Sequence, residues 1–405
     1  MSQTPVLVSV AELAERILPE ADPQSGTVRL LDVRWRLGDP AGHAQYLDRH
    51  IPGAVYADLD TDLAAPAGEG TGRHPLPDVA DLQAAARRWG INAGDTVVAY
   101  DDNGNLAAAR AWWLLRWAGV ADVRLLDGGL AAWRAAGHPL ATGEEKPEQG
   151  DVTLTAGALP STDPDGVARL VTDGGVLLDA RATDRYRGEP NPYDPRPGHI
   201  PGAVSAPTSD NLTDGGTFRD PAELAERFAA LGITPGRPVG VYCGSGVTAA
   251  HQIAALSLAG IDDVVLYPGS WSQWAALPDR PAVTGADPYP PAPLVDAAEA
   301  GRRVTDGAVL IDVRSAPRRA TDGTVPGAII ADRKRIAAEF GLDSPERHAP
   351  IVSLDTPIVV VCGSIVGSGP VAAELQARGF TNVVHVDGGF TAWAEAGLPT
   401  VAPEN

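Results

Sequence analysis

Two cysteines stand in 405 residues, Cys243 and Cys362, and they are the chain's only thiols. Cys243 ends the run "VGVYC" and is followed by Gly244, Ser245, Gly246, Val247 and Thr248 before an apolar helical pattern begins near Ala249. Glycines in such a loop let successive backbone N–H groups turn inward as an anion-binding nest. The helix behind adds the positive end of its dipole. Both effects favour thiolate over thiol and would equally cradle a persulfide or a bound sulfur oxyanion. A free cysteine is more commonly a small buried hydrophobe. Placement at a strand-to-loop-to-helix junction, where parallel sheets collect ligands, argues instead for chemistry.

The second thiol sits in "VCGSIVGSGPVAAELQARGF", with glycines at 363, 367 and 369. These could form a similar cradle around Cys362. The loop carries no cation between Cys362 and Arg378, and Ile365 and Val366 occupy its middle. It reads either as a second thiol site or as a degenerate copy kept for packing or docking.

The elements that must position these thiols occur three times. "LLDVRW" at Leu30–Trp35 returns as "LLDARA" at Leu177–Ala182 and "LIDVRS" at Leu310–Ser315. "HIPGAV" at His50 returns at His199 and, weakened to "TVPGAI", at Thr324. "VVAYDD", "VGVYCG" and "VVVCGS" put Asp101, Cys243 and Cys362 at one position, and Trp133, Trp274 and Trp393 close the copies in register. The spacing is 147 residues from Asp32 to Asp179 and 133 from Asp179 to Asp312, which are domain lengths. We expect three domains, 1–147, 148–283 and 293–405. One linker falls near Ala141–Gly150 and another in the proline-rich Asp279–Leu294.

Each copy alternates short β-branched runs with helical patterns. In "DPAELAERFAALGI", Asp220 is placed to cap, Pro221 to open and Gly232 to close a helix. Runs such as Ile358–Val361 lack polar alternation and suit a sheet buried on both faces. The expected fold class is α/β, with three open, mainly parallel sheets flanked by helices.

The formal net charge of −20 is spread along the chain and disfavours nucleic acid or anionic membranes as partners. Only Lys146 and Lys334 are lysines, so an anion pocket must be built from arginine and backbone N–H groups. No run approaches the ~18 apolar residues of a membrane span. The first twenty residues lack a basic n-region, and two cysteines make no disulfide framework, so a reducing cytoplasm is expected. Trp112 and Trp113 read as the buried face of a helix, and His251 as a surface residue rather than a ligand. The scattered histidines give no zinc spacing, and no cofactor is implied.

With "LLDAR" and "GHIPGAV" upstream of "YCGSGVTA", the chain resembles the rhodanese superfamily, and within it the tandem-domain thiosulfate and 3-mercaptopyruvate sulfurtransferases. The resemblance spans essentially the whole chain; its third copy is a departure, because such members usually stop after two domains. It implies a first domain that is catalytically silent, in agreement with Asp101, and a second whose cysteine takes sulfur from 3-mercaptopyruvate or thiosulfate and passes it to cyanide or a thiol. By the same resemblance Cys243 is the nucleophile, the N–H groups of Gly244, Gly246, Val247 and Thr248 form its cradle, and Arg185 holds the donor's anionic end. Arg196 or Arg187 would supply a second arginine. Asp60, His74 and Ser245 would line up as a relay between the first two domains. Thiosulfate-preferring members place two cations after the cysteine, whereas Gly244 and Ser245 stand here, which points towards mercaptopyruvate.

Two other classes compete. Cysteine phosphatases with a C-x5-R loop clamp phosphoryl oxygens with an arginine six residues on. Here those positions are Ala249 and Ser368. A non-catalytic sulfur carrier or docking protein is the other alternative, motivated by the silent first copy and the irregular third.

Overall fold

A computed structural model describes residues 5–18, 26–233, 236–285, 292–333, 335–342, 344–363, 365–378 and 380–403. Residues 286–291 of the expected second linker, and Ser364 beside Cys362, lie outside them. Two compact units emerge. One comprises Met1–Val167, Leu177–Thr234 and Pro238–Thr284, and so contains most of the first two copies; the other comprises Gly285–Asn405 with the short stretches Ala168–Val176 and Pro235–Arg237.

Three α/β sheets are formed. The first uses β1 (Leu7–Val8), β2 (Val28–Asp32), β3 (Ala54–Tyr56), β4 (Thr96–Tyr100) and β5 (Val123–Leu126) in the order β1-β5-β4-β2-β3. The second uses β6 (Val176–Asp179), β7 (Ala203–Ser205), β8 (Val239–Tyr242) and β9 (Val264–Leu266) in the order β7-β6-β8-β9. The third uses β10 (Leu294–Val295), β11 (Val309–Asp312), β12 (Ile329–Ile330), β13 (Ile358–Val361) and β14 (Val383–Val386) in the order β10-β14-β13-β11-β12. Every described strand pairing is parallel. The orders are the same, except that a single parallel bridge between Ser161 and Leu266 stands at the edge of the second sheet.

The central strands β4, β8 and β13 are buried along their whole length. In β13, Ile358 and Val360 join one apolar cluster while Val359 and Val361 join another. Alternate side chains thus feed cores on both faces, which is why the run shows no polar alternation. The helix Pro221–Ala230 opens on Asp220 and Pro221, and Gly232 adopts the left-handed φ of +84° just beyond it.

The repeated motifs are structural ties. Arg34, Arg181 and Arg314 each reach back two residues to a buried aspartate, Asp32, Asp179 and Asp312, at 2.6 Å. The in-register indoles donate to proline carbonyls: Trp133 to Pro139, Trp274 to Pro281 and Trp393 to Pro399, at 2.8, 2.8 and 3.1 Å. Such bonds hold the carboxyl ends of three sheets in one shape, whatever follows β4, β8 and β13.

Candidate active site

Cys243 follows β8, and the helix Thr248–Leu258 starts five residues later. The side chain is 2% exposed, and its Sγ accepts the Gly246 N–H at 3.1 Å. Gly246 has φ +80°, and a Cβ there would come within 2.4 Å of the Pro268 carbonyl. Only glycine lets the loop turn its amide onto the sulfur. Among described bonds to Sγ this is the only amide; Gly244, Val247 and Thr248 shape the loop around it.

The other side of the loop is held by Ser270, which no motif indicated. Its backbone lies at φ +52°, where Gly129 and Gly389 stand in the other copies. The correspondence follows from the next residue: Trp271, Leu130 and Phe390 each donate their N–H to the carbonyl of Cys243, Asp101 and Cys362. In return for a strained backbone, Ser270 Oγ accepts the Cys243 N–H at 3.1 Å. The departure of "PGS" from "DGG" was the available signal.

Two guanidinium groups cover Gly244. A Cβ built on Gly244 would meet Arg185 Nη2 at 2.8 Å and Arg73 Nη2 at 3.0 Å. Arg185 is held bidentately by Asp194, with Nε and Nη2 at 3.0 and 2.5 Å from its oxygens, and Arg181 adds a third contact at 3.3 Å. Burial would raise the Asp194 carboxyl, but Arg185 and Arg181 hold it below the usual range. Arg73 donates to the Tyr193 carbonyl, and burial together with neighbouring Arg185 lowers its pKa. Arg73 has no ion pair among the described residues, which leaves positive charge over the loop for an anion.

The first copy also contributes His74. Its Nδ1 lies 2.7 Å from Ser245 Oγ and its Nε2 lies 3.1 Å from Asp60 Oδ1. Burial lowers the His74 pKa, against the opposing charge of Asp60. Trp35 meets the imidazole edge-on and donates its indole N–H to Asp60. Arg110, wholly buried in the helix Ala108–Trp117, donates to the carbonyls of Gly246, His74, Pro75 and Leu63. It ties the cysteine loop to the histidine segment. Burial lowers its pKa to about 10.

Of the arginines read from the sequence, Arg185 reaches the loop. Arg196 is turned elsewhere: it donates to the carbonyls of Trp274 and Arg280 and lies against the Trp271 ring. Arg187 is exposed at the end of a short helix. The second guanidinium over the loop is Arg73, beside His74 in "GRHPLP". The surface placement expected of His251 is overturned. Its ring is fully buried, stacked on Phe218 and bonded to Thr208 Oγ1 at 2.7 Å, because the helix carrying it is covered on nearly every side. Trp112 and Trp113 are buried, as their pattern indicates.

Cys362 is 4% exposed at the end of β13. Its sulfur accepts a hydrogen bond from Arg333 Nη2 at 2.7 Å. The cation absent from the loop is therefore supplied by the segment after β12. A Cβ at Gly367 would fall within 2.2 Å of this sulfur, so glycine keeps that place open.

Three stretches of the chain, 10–136, 163–277 and 296–396, match the family model of the rhodanese-like domain. The chain belongs to the rhodanese family. A Pseudomonas aeruginosa protein named a 3-mercaptopyruvate sulfurtransferase is 49% identical over 286 residues, which is 69% of this chain and 98% of that one. SseB of Mycobacterium tuberculosis, named a thiosulfate sulfurtransferase, is 48% identical over 286 residues, covering 69% and 97%. The crystal structure of the 3-mercaptopyruvate sulfurtransferase SseA from Escherichia coli superposes with a TM-score of 0.59 at 31% identity, over 66% of this chain and all of that one. The rhodanese match includes a third stretch, the one carrying Cys362.

Proposed function

We propose that this rhodanese is a sulfurtransferase that carries sulfane sulfur on Cys243. The observation that carries the reading is the Cys243 sulfur, seated on the Gly246 amide with Arg73 and Arg185 over the adjoining residue. The thiolate attacks the outer sulfur of the donor and forms an S–S bond as the donor's bond to that sulfur breaks. Sulfite leaves thiosulfate with the bonding pair; pyruvate leaves 3-mercaptopyruvate as its enolate. Cyanide or a thiol then attacks the persulfide, takes the terminal sulfur and returns Cys243 as thiolate. The guanidinium pair holds the donor's anionic end.

The relay favours 3-mercaptopyruvate as donor. Its leaving carbon must gain a proton, and the Ser245–His74–Asp60 chain can pass one along. Sulfite needs none to depart. Turnover of both donors with cyanide tests the reading. Cys243→Ser should abolish both reactions, and equal turnover by that variant would refute it. His74→Ala should lower kcat for mercaptopyruvate by about 10²-fold, within the range of general acid–base catalysis, and change thiosulfate turnover far less. The thiol needs a reducing compartment, in keeping with a cytoplasmic enzyme.

One observation favours a second sulfur-accepting thiol at Cys362: the Arg333 contact, which would hold a thiolate or persulfide by charge. Incubating Cys243→Ser protein with donor, followed by peptide mass analysis, should show one added sulfur on the Cys362 peptide, lost in Arg333→Ala. An unmodified Cys362 peptide would leave the third copy to packing or docking.

A further inference from the structure

We propose that the first repeat holds a second, non-catalytic pocket for a small anion ending in a carboxylate or a sulfur oxyanion. A cavity of about 520 Å³ opens at the carboxyl edge of its sheet, lined by Arg34, Arg36, Arg49 and Arg134 against Asp48 and Asp102. That volume is typical of small-molecule sites, and the carboxyl edge is where parallel sheets bind ligands. Four arginines in one cavity stand out in a chain of net charge −20.

The charges do not cancel. Arg36 pairs with Asp102 at 3.2 Å and Arg49 with Asp48 at 3.5 Å. Arg134 has no described ion pair among the described residues. Arg34 forms the floor: it is 4% exposed and paired with buried Asp32 at 2.6 Å, which leaves Arg134 as the cavity's surplus cation. An anion inside the cavity would meet the unpaired guanidinium of Arg134.

The register with the second repeat sharpens the ligand class. Asp102 follows Asp101 as Gly244 follows Cys243, so the cavity occupies the place of the anion site over Cys243. Tyr46 and Tyr186 are equivalent, each donating its hydroxyl to the carbonyl of Ala54 or Ala203, so Gln45 stands where Arg185 stands in the second repeat. In the second repeat that position carries the guanidinium that Asp194 holds. In the first it carries a neutral amide, with Arg34 Nη1 donating to its backbone carbonyl at 2.6 Å, and the cavity's rim cations are Arg36, Arg49 and Arg134 instead. With Asp101 at the nucleophile position, the pocket binds without turnover.

The inference stands apart from Cys243 chemistry, and the test keeps it so. Protein carrying Cys243→Ser, Arg73→Ala and Arg185→Ala, with its second-repeat site disabled, is titrated calorimetrically with pyruvate and separately with thiosulfate, at constant ionic strength made up with chloride. One saturable site per chain is expected. Its affinity should fall at least about tenfold on adding Arg134→Ala, the loss of one charge-assisted contact, and similarly on Ala131→Glu, which sets a like charge at the rim. Both positions are exposed, so folding is unaffected, as thermal unfolding will check. Saturation by pyruvate alone assigns a carboxylate ligand, and by thiosulfate alone a sulfur oxyanion. No saturable binding of either, or binding that both variants leave unchanged, overturns the proposal.

Discussion

The loops after β4 and β8 occupy equivalent places in two sheets of the same strand order, yet they hold different acceptors. After β4, the Asp101 carboxylate takes N–H bonds from Asn103, Asn105, Ala107 and Ala108 at 2.7–3.1 Å. After β8, the Cys243 sulfur takes one described amide, from Gly246. Burial raises the Asp101 carboxyl and the four amides pull it back. A carboxylate fills its cradle with two oxygens and nothing further is needed. A thiolate sulfur, unlike a carboxylate, can take up and give off a second sulfur atom. The contrast teaches that this loop is an anion holder first and a catalytic device only where its occupant can exchange atoms.

Removing the occupant tests the contrast most severely. Asp101→Ala leaves four buried amides without an acceptor and should cost about 3 kcal/mol or more of stability, read from denaturant unfolding. Cys243→Ala should cost far less stability while abolishing turnover. If the two changes destabilise equally, the first cradle is no more than a loop.

Next comes the tie between the loops of the second repeat and the histidine segment of the first. Arg110→Met strands four carbonyls in the interior, and kcat should drop about 10²-fold through displacement of the loop, with a smaller change in KM. Asp194→Asn is milder. It frees Arg185 without removing it, so KM for either donor should rise about tenfold while kcat holds.

The smallest effect is a shift in pH profile. Burial holds the His74 pKa below its ordinary 6.5, and Asp60 opposes that shift. His74 is therefore neutral at pH 7, and mercaptopyruvate turnover should lose its neutral form only below about pH 6.5. Asp60→Asn removes the opposing charge, lowers the His74 pKa further and moves the acidic limb to lower pH. Activity that instead falls as pH rises through this range would mean that His74 acts in its charged form.

Much of this site was legible in the sequence. The position of Cys243, its glycines and the three-fold order of motifs follow from residue type and spacing, because a tight loop at a strand end admits few side chains. Asp60, His74 and Ser245 came through the family resemblance, since residues 171 apart show no periodicity that joins them. Arg73, Arg110, Asp194 and Ser270 were not read. Arg110 sits in a run whose apolar pattern masks a charge bonded to carbonyls alone. Arg196 was read towards the donor, but carbonyls of its own copy hold it. His251 was placed at the surface on helical spacing, and its helix proved buried on nearly all faces.

The three indole-to-proline bonds have one more consequence. None of them involves the residue after β4, β8 or β13, so the frame that shapes each sheet edge is built independently of what that edge contains. A gene copy could therefore exchange a thiol for a carboxylate, or recruit a cation from another segment, without rebuilding its scaffold. The chain thus carries three mounts of one design, each free to hold its own fitting.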